Sequence, residues 1–371
     1  MKSFRIAALL LLLPSLAPAQ ATRAHFDTLP DGTAVDVYTL TSPQVELRVI
    51  TYGARVVSLK SKDREGKFAN IVLGFPSLDL YAGPRINYLG ATVGRYANRI
   101  GKGHLVVDGK TFQTPLNNRG NTLHGGAGFD RRNWTAHLIP GGVEFTLVSP
   151  DGDQGFPGEV TARVRYTLQR NTVRIEYSAT TTQPTVINLT NHAYFNIAGE
   201  GSGTILSQRL TLYADRYTPV DATLIPTGEL PPVAGTPFDF TRESVIGDHV
   251  AKADSDEQLK PIGGFDHNFV LRGPLGKLHP AARVTDPASG RTLFIQTTEP
   301  GIQCNTGQGF DGSLIGVGGV AYGKFGGIAL ETQHYPDSPN HSNFPSTEVR
   351  PNHPYHSLTT WTLTTTPNTH P

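Results

Sequence analysis

The sequence predicts an all-β fold: one large antiparallel β-sandwich with few, short helices. Three observations predict it. Apolar and polar residues alternate over many short segments, the pattern of strands that bury one face. No segment carries a long 3.6-residue apolar repeat with caps. Gly (40) and Pro (28) are abundant and fall between the alternating segments, because many strands need many turns. At 371 residues, 37% hydrophobic and 17% charged, the chain is long enough for a sizeable core.

The elements follow in chain order. Lys2 and Arg5 precede an unbroken apolar run over 6–13, then Pro14, then the small-x-small stretches "APA" (17–19) and "AQA" (19–21). This order reads as a secretory signal peptide over 1–21, and the run is too short to span a bilayer. It implies an exported protein, periplasmic or secreted, with residues 22–371 as a single domain. Without the leader, 30 basic residues face 31 acidic ones. So neutral a chain offers no electrostatic case for nucleic acid or an anionic membrane. Cys304 is the only cysteine, so no intrachain disulfide can form and stability rests on the core.

Val45, Leu47 and Val49 alternate with polar or outward residues, as do Val143, Phe145 and Leu147. Val160 to Leu168 and Val173 to Ala179 repeat the pattern on either side of "QRNT" and predict a β-hairpin. Leu293 and Ile295 mark a further strand, and "LPPVAGTP" (230–237) reads as a loop between strands.

Several polar segments fit poorly as plain turns. "GRYANRI" holds Arg95 and Arg99, either exposed or offering a rigid donor fork to sugar hydroxyls or an oxyanion. "NTLHGG" places His124 before two glycines; it is a turn residue, or an imidazole facing a ligand that the glycines let approach. "INLTNHAYFN" sets His192 among Asn188, Asn191, Tyr194 and Asn196. Such a cluster is a satisfied core histidine or an oriented acid–base group, and amides this dense are costly unless used. The sequons at Asn133 and Asn188 are weak signals, the latter expected to be buried. "GGFDHNF" offers Asp266, a turn cap or an acceptor of sugar hydrogen bonds. "GGIALETQHYPDSPN" ends an apolar run in Glu331, where partial desolvation would raise the carboxyl's pKa and suit a base. The stretch 335–340 after it is expected at the rim of the cleft. His334, His341, His353 and His356 match no zinc spacing and read as loop residues. No nucleophile elbow, P-loop or dinucleotide fingerprint is present.

Taken in order, "GRYANRIGKG", "NTLHGGAGFDRRNW", "SPDGDQGFPGEV", "INLTNHAYFNIAG", "DRYTPVDATLIPTGEL", "GTPFDF", "GGFDHNF" and "ALETQHYPDSPN" resemble the aldose 1-epimerase (galactose mutarotase) family. The resemblance spans nearly the whole chain after the leader. It implies a β-supersandwich with a sugar cleft on one face, and a monosaccharide substrate. Glu331 would be the general base and His192 the general acid. Asn98, Arg99, His124, Asp266 and Gln303 would hold sugar hydroxyls. No cofactor and no metal are implied, and the state would be a monomer or homodimer. One segment departs from the family: after "GIQ" it usually carries an aromatic pair, then Thr-Gly and Asn. This chain reads "CNTGQ", with Cys304, Asn305 and Gln308. The change is expected beside the sugar and would alter sugar preference rather than the reaction. Two other readings are a glycoside hydrolase using Asp266 and Glu331, which leaves His192 idle, and a sugar-binding module, which needs no acid–base pair.

Overall fold

A computed structural model describes residues 19–83 and 88–366. Most of the expected leader lies outside the described residues. Its last part does not: Gln20 and Ala21 pair with Thr41 and Leu40 at the start of the strand Gln20–Thr28. The ordered strand therefore begins two residues before the expected domain boundary.

The architecture is antiparallel β, as the alternation predicts. The largest sheet has nine strands, with the C-terminal strand Tyr355–Thr365 between Thr172–Thr181 and Arg291–Thr297. The predicted hairpin is present: Val160–Gln169 turns into Thr172–Thr181 through Arg170 and Asn171, with Gln169 opposite Thr172. A five-stranded meander, Gln20–Thr28 through Phe68–Asn70, forms the N-terminal part. Among the described residues the two α-helices, Leu78–Ala82 and Ile246–Val250, are one turn each. Among the described residues no helix is long and apolar enough to cross a membrane.

A second five-stranded sheet positions the site. Its order is Tyr194–Phe195, Ile328–Gln333, Gly301–Asn305, Asp266–Leu271 and Ala214–Tyr217. Side chains alternate between its faces. One face sends Phe195, Ile302, Cys304 and Leu330 into the main core, where Phe195 meets Trp361 of the nine-stranded sheet edge to face at 5.1 Å. The opposite face carries Glu331, Gln303 and Asp266. A one-residue slip in register would exchange the two sets, so burial of the apolar face fixes the polar one.

Candidate active site

Strand register brings the polar residues together. Gln303 lies directly opposite Glu331, and Asn305 opposite Asp266. Cross-strand partners share a face at short range, so Gln303 can donate from Nε2 to Asp266 Oδ1 at 2.8 Å. Arg99 arrives from the short strand Arg99–Ile100 and sets its guanidinium 3.6 Å from Asp266 Oδ2. Glu331 is 2% exposed and lies beside His192, while Arg99, His192, Tyr194, Asp266 and Asn305 line an open cleft of about 410 Å³.

His192 and Glu331 are neighbours: His192 Nε2 lies 3.6 Å from Glu331 Oε1. His124 stands edge-on to His192 at 5.1 Å, and Tyr88 stacks over the His192 ring at 5.6 Å. His124 adopts φ +51°, a left-handed conformation that needs local support. Asn98 supplies it, accepting the His124 N–H on its carbonyl and donating its own N–H to His124 Nδ1 at 3.1 Å. The Asn98 side chain in turn accepts from the Arg99 backbone at 3.0 Å. The glycines after His124 serve packing instead of ligand approach: a Cβ on Gly125 would stand 2.5 Å from the Gly94 carbonyl oxygen.

Burial dominates the electrostatics. It pushes the Glu331 carboxyl well above its usual range, reinforced by the Asp266 charge and opposed by Arg99. It pushes His192 down to about 4, and His124 well below an ordinary imidazole, with His192 and Arg99 adding to the effect. Burial also raises Asp266, but Arg99 and the Gln303 amide outweigh it and hold this carboxyl below its usual value. The site therefore pushes two carboxyls apart, Asp266 below its usual range beside Arg99 and Glu331 above it, the divergence that marks acid–base sites.

Glu331 Oε2, His192 Nδ1, Gln303 Oε1 and Arg99 Nε are buried without a hydrogen-bond partner among the described residues. Buried polar atoms are normally paired, so four unpaired ones around a cleft suit a ligand rich in hydroxyls. His124, His192 and Glu331 have donor atoms within 4.8 Å of one another, a spacing that a metal ion could bridge. The His124 tautomer opposes this. Its Nδ1 accepts from Asn98, so in the neutral ring Nε2 carries the proton and has no lone pair to give.

Of the seven sequence-derived site residues Arg99, His192 and Asp266 line the cleft, and Glu331, His124, Gln303 and Asn98 stand directly against them, but several neighbours have other tasks. Arg95 is buried away from the cleft and donates to the carbonyls of Ser149, Pro150, Pro157 and Gly158. The asparagines around His192 do not hold its ring. Asn188 bonds the backbone of Ala97 and His334, Asn191 that of Gly90, and Asn196 that of Gly203 and Gly326. Asn188 is wholly buried, as expected for that sequon. The loop 335–340 is not at the rim: Asp337 accepts from Gly101 N and donates its own N–H to the Arg99 carbonyl, each at 2.8 Å, bracing Arg99 from behind. Nor are all the C-terminal histidines loop residues. His334 is buried with Nδ1 2.5 Å from Glu299 Oε2, and His356 lies within a strand. Cys304 faces the core, so of the three departures from the family pattern Asn305 and Gln308 meet the cleft. The sequence reading missed Tyr88 and Phe310, which line the cleft with no motif to single them out.

The aldose 1-epimerase family model matches residues 36–362. Galactose mutarotase of Rattus norvegicus is 45% identical over 342 residues, covering 92% of this chain and 97% of that protein. Aldose 1-epimerase of Escherichia coli K12 is 36% identical over 336 residues, covering 89% and 95%. Among solved structures, galactose 1-epimerase of Lactobacillus acidophilus superposes with a TM-score of 0.82 at 28% identity, covering 94% of this chain and 99% of that one. The match runs through the segments that carry Glu331, His192 and Asp266, and the chain belongs to the aldose 1-epimerase family, as an isomerase.

Proposed function

We propose that the enzyme interconverts the α and β anomers of a free aldose such as galactose or glucose, with Glu331 as general base and His192 as general acid. The observation that carries this reading is the 3.6 Å approach of His192 Nε2 to Glu331 Oε1. Each residue also keeps a second polar atom unpartnered.

The chemistry is proton bookkeeping. Glu331 takes the proton of the C1 hydroxyl while His192 protonates the ring oxygen, and the C1–O5 bond breaks. The aldehyde turns about C1–C2. His192 then removes the O5 proton, Glu331 returns one to O1, and the ring closes on the other face. The pair carries a single proton throughout, on His192 before opening and on Glu331 after it. Burial favours the second arrangement in the empty cleft, and Arg99 favours the first by stabilising the Glu331 anion. A reversible reaction requires the two to lie close in energy, so a bound sugar has to shift the balance toward the first. No bond to the protein forms. Asp266, fixed by Arg99 and Gln303, is suited to hold a hydroxyl that does not react.

Polarimetry of freshly dissolved α-galactose and α-glucose tests the reading. Each positioned acid or base contributes on the order of 10²–10⁴ in rate, so Glu331→Gln should fall to near the buffer rate while remaining folded. Near-normal acceleration by that variant would remove Glu331 from the mechanism.

A further inference from the structure

The geometry points to Asn305 as the residue that positions the Asp266 carboxylate and thereby sets which aldoses this enzyme prefers. The inference rests on the proposed function and concerns one of the positions at which this chain leaves its family's pattern.

Asn305 sits across the ladder from Asp266 and lines the cleft beside it, with Tyr194 and Arg99. Its amide orientation is fixed by chemistry. Gly307 N–H donates to Asn305 Oδ1 at 2.9 Å, and Tyr194 OH donates to the same oxygen at 3.3 Å. An N–H donor can only face the oxygen, so Nδ2 is left for the Asp266 side, where it helps hold that group charged. Asp266 is thus held by Arg99 at 3.6 Å and Gln303 at 2.8 Å, and the Asn305 amide on its third side adds a smaller share to keeping it charged.

Through its oxygen, Asn305 reaches the other side of the site. Tyr194 lies on the neighbouring strand pair, 5.2 Å ring to ring from His192, and packs edge-on against Phe310 at 4.9 Å. One amide therefore bridges the wall bearing the acid to the carboxylate suited to hold a remote hydroxyl. A plain phenyl ring here could neither donate to Asp266 nor accept from Tyr194. Cys304, another of the unusual residues, cannot act this way because it points into the core.

The test uses Asn305→Asp. This change keeps the shape and keeps an acceptor for Gly307 and Tyr194, but it turns a carboxylate toward Asp266. Two facing carboxylates share a proton, and one pKa rises. Above neutrality the variant should raise KM about tenfold with kcat within about threefold, since losing a hydrogen bond to a charged group has that magnitude. As pH falls and the pair gains a proton, the bridge is restored and KM should return toward wild type. A residue that merely shapes the 305–310 loop would give no such recovery. In a series of singly deoxygenated hexoses, the analogue that wild type handles worst should be the one whose KM is least altered by Asn305→Asp. An unchanged KM at all pH values, or a loss that is equal at every pH and for every sugar, overturns the inference. Failure of the underlying reading looks different: wild type would then show no rate above buffer.

Discussion

His192 Nε2 and Glu331 Oε1 stand 3.6 Å apart, and burial moves the two groups in opposite senses, His192 down to about 4 and Glu331 well above 4.5. The pH profile follows from the signs. His192, depressed, takes up a second proton for the pair only as pH falls toward about 4. Glu331, raised, gives up the pair's last proton only far above its usual range. Both shifts widen the one-proton range of the pair, down toward about 4 and up beyond the usual carboxylate range. A plot of log kcat/KM against pH, corrected for the buffer rate, should be flat near neutrality with an acid limb near about 4. An acid limb near 6.5, the ordinary imidazole value, would show that burial does not control His192.

Metal dependence is a second expectation with a definite sign. The Asn98 N–H directed at His124 Nδ1 leaves His124 Nε2 protonated, so the cluster with His192 and Glu331 is built to donate rather than to ligate. Prolonged dialysis against a chelator should leave the catalysed rate unchanged. A loss restored by a divalent ion would mean that the His124 tautomer is wrong.

Much of the fold was legible because its signal is local. Period-two alternation marks a strand without knowledge of its partner, and the Val160–Gln169 and Thr172–Thr181 hairpin is a neighbour pair. Glu331 was legible for the same reason, as an apolar run ending in a carboxylate. What the sequence could not show is which way each polar side chain points once non-local strands pair. Gln303 opposite Glu331 and Asn305 opposite Asp266 are contacts between distant segments. Asn188, Asn191 and Asn196 resemble catalytic neighbours in sequence, yet they satisfy loop and edge backbone groups that the ladders leave open. Tyr88 reaches His192 from a segment with no periodic signal at all.

Arg95 and Arg99, four residues apart, should respond oppositely to the same change. Arg95 holds four backbone carbonyls. Arg95→Met would orphan them at a cost on the order of 3 kcal/mol or more, lowering the melting temperature by several degrees with KM unchanged in the folded fraction. Arg99 faces Asp266, and Arg99→Met should raise KM roughly tenfold or more with a far smaller effect on melting. Calorimetry beside polarimetry separates the two, and an Arg95 variant with normal stability and raised KM would reverse their roles.

Cys304 supplies a sharper check on the strand register, because one slip would place it in the cleft. In the observed register Cys304 lies opposite Leu330 and His267 on the core face, while its neighbours Gln303 and Asn305 take the cleft face. It is wholly buried, and burial pushes its thiol far above the usual range. A thiol with so little thiolate and no access is inert. Iodoacetamide should therefore leave native protein unlabelled and fully active, and label one thiol per chain only after denaturation. Cys304→Ala should cost about 1 kcal/mol through the small cavity it leaves, with KM and kcat unchanged for every sugar. Labelling of the native protein at neutral pH, with loss of activity that a saturating sugar prevents, would put the thiol beside the substrate. That result would move the polar face of this sheet by one residue and with it the placement of Glu331.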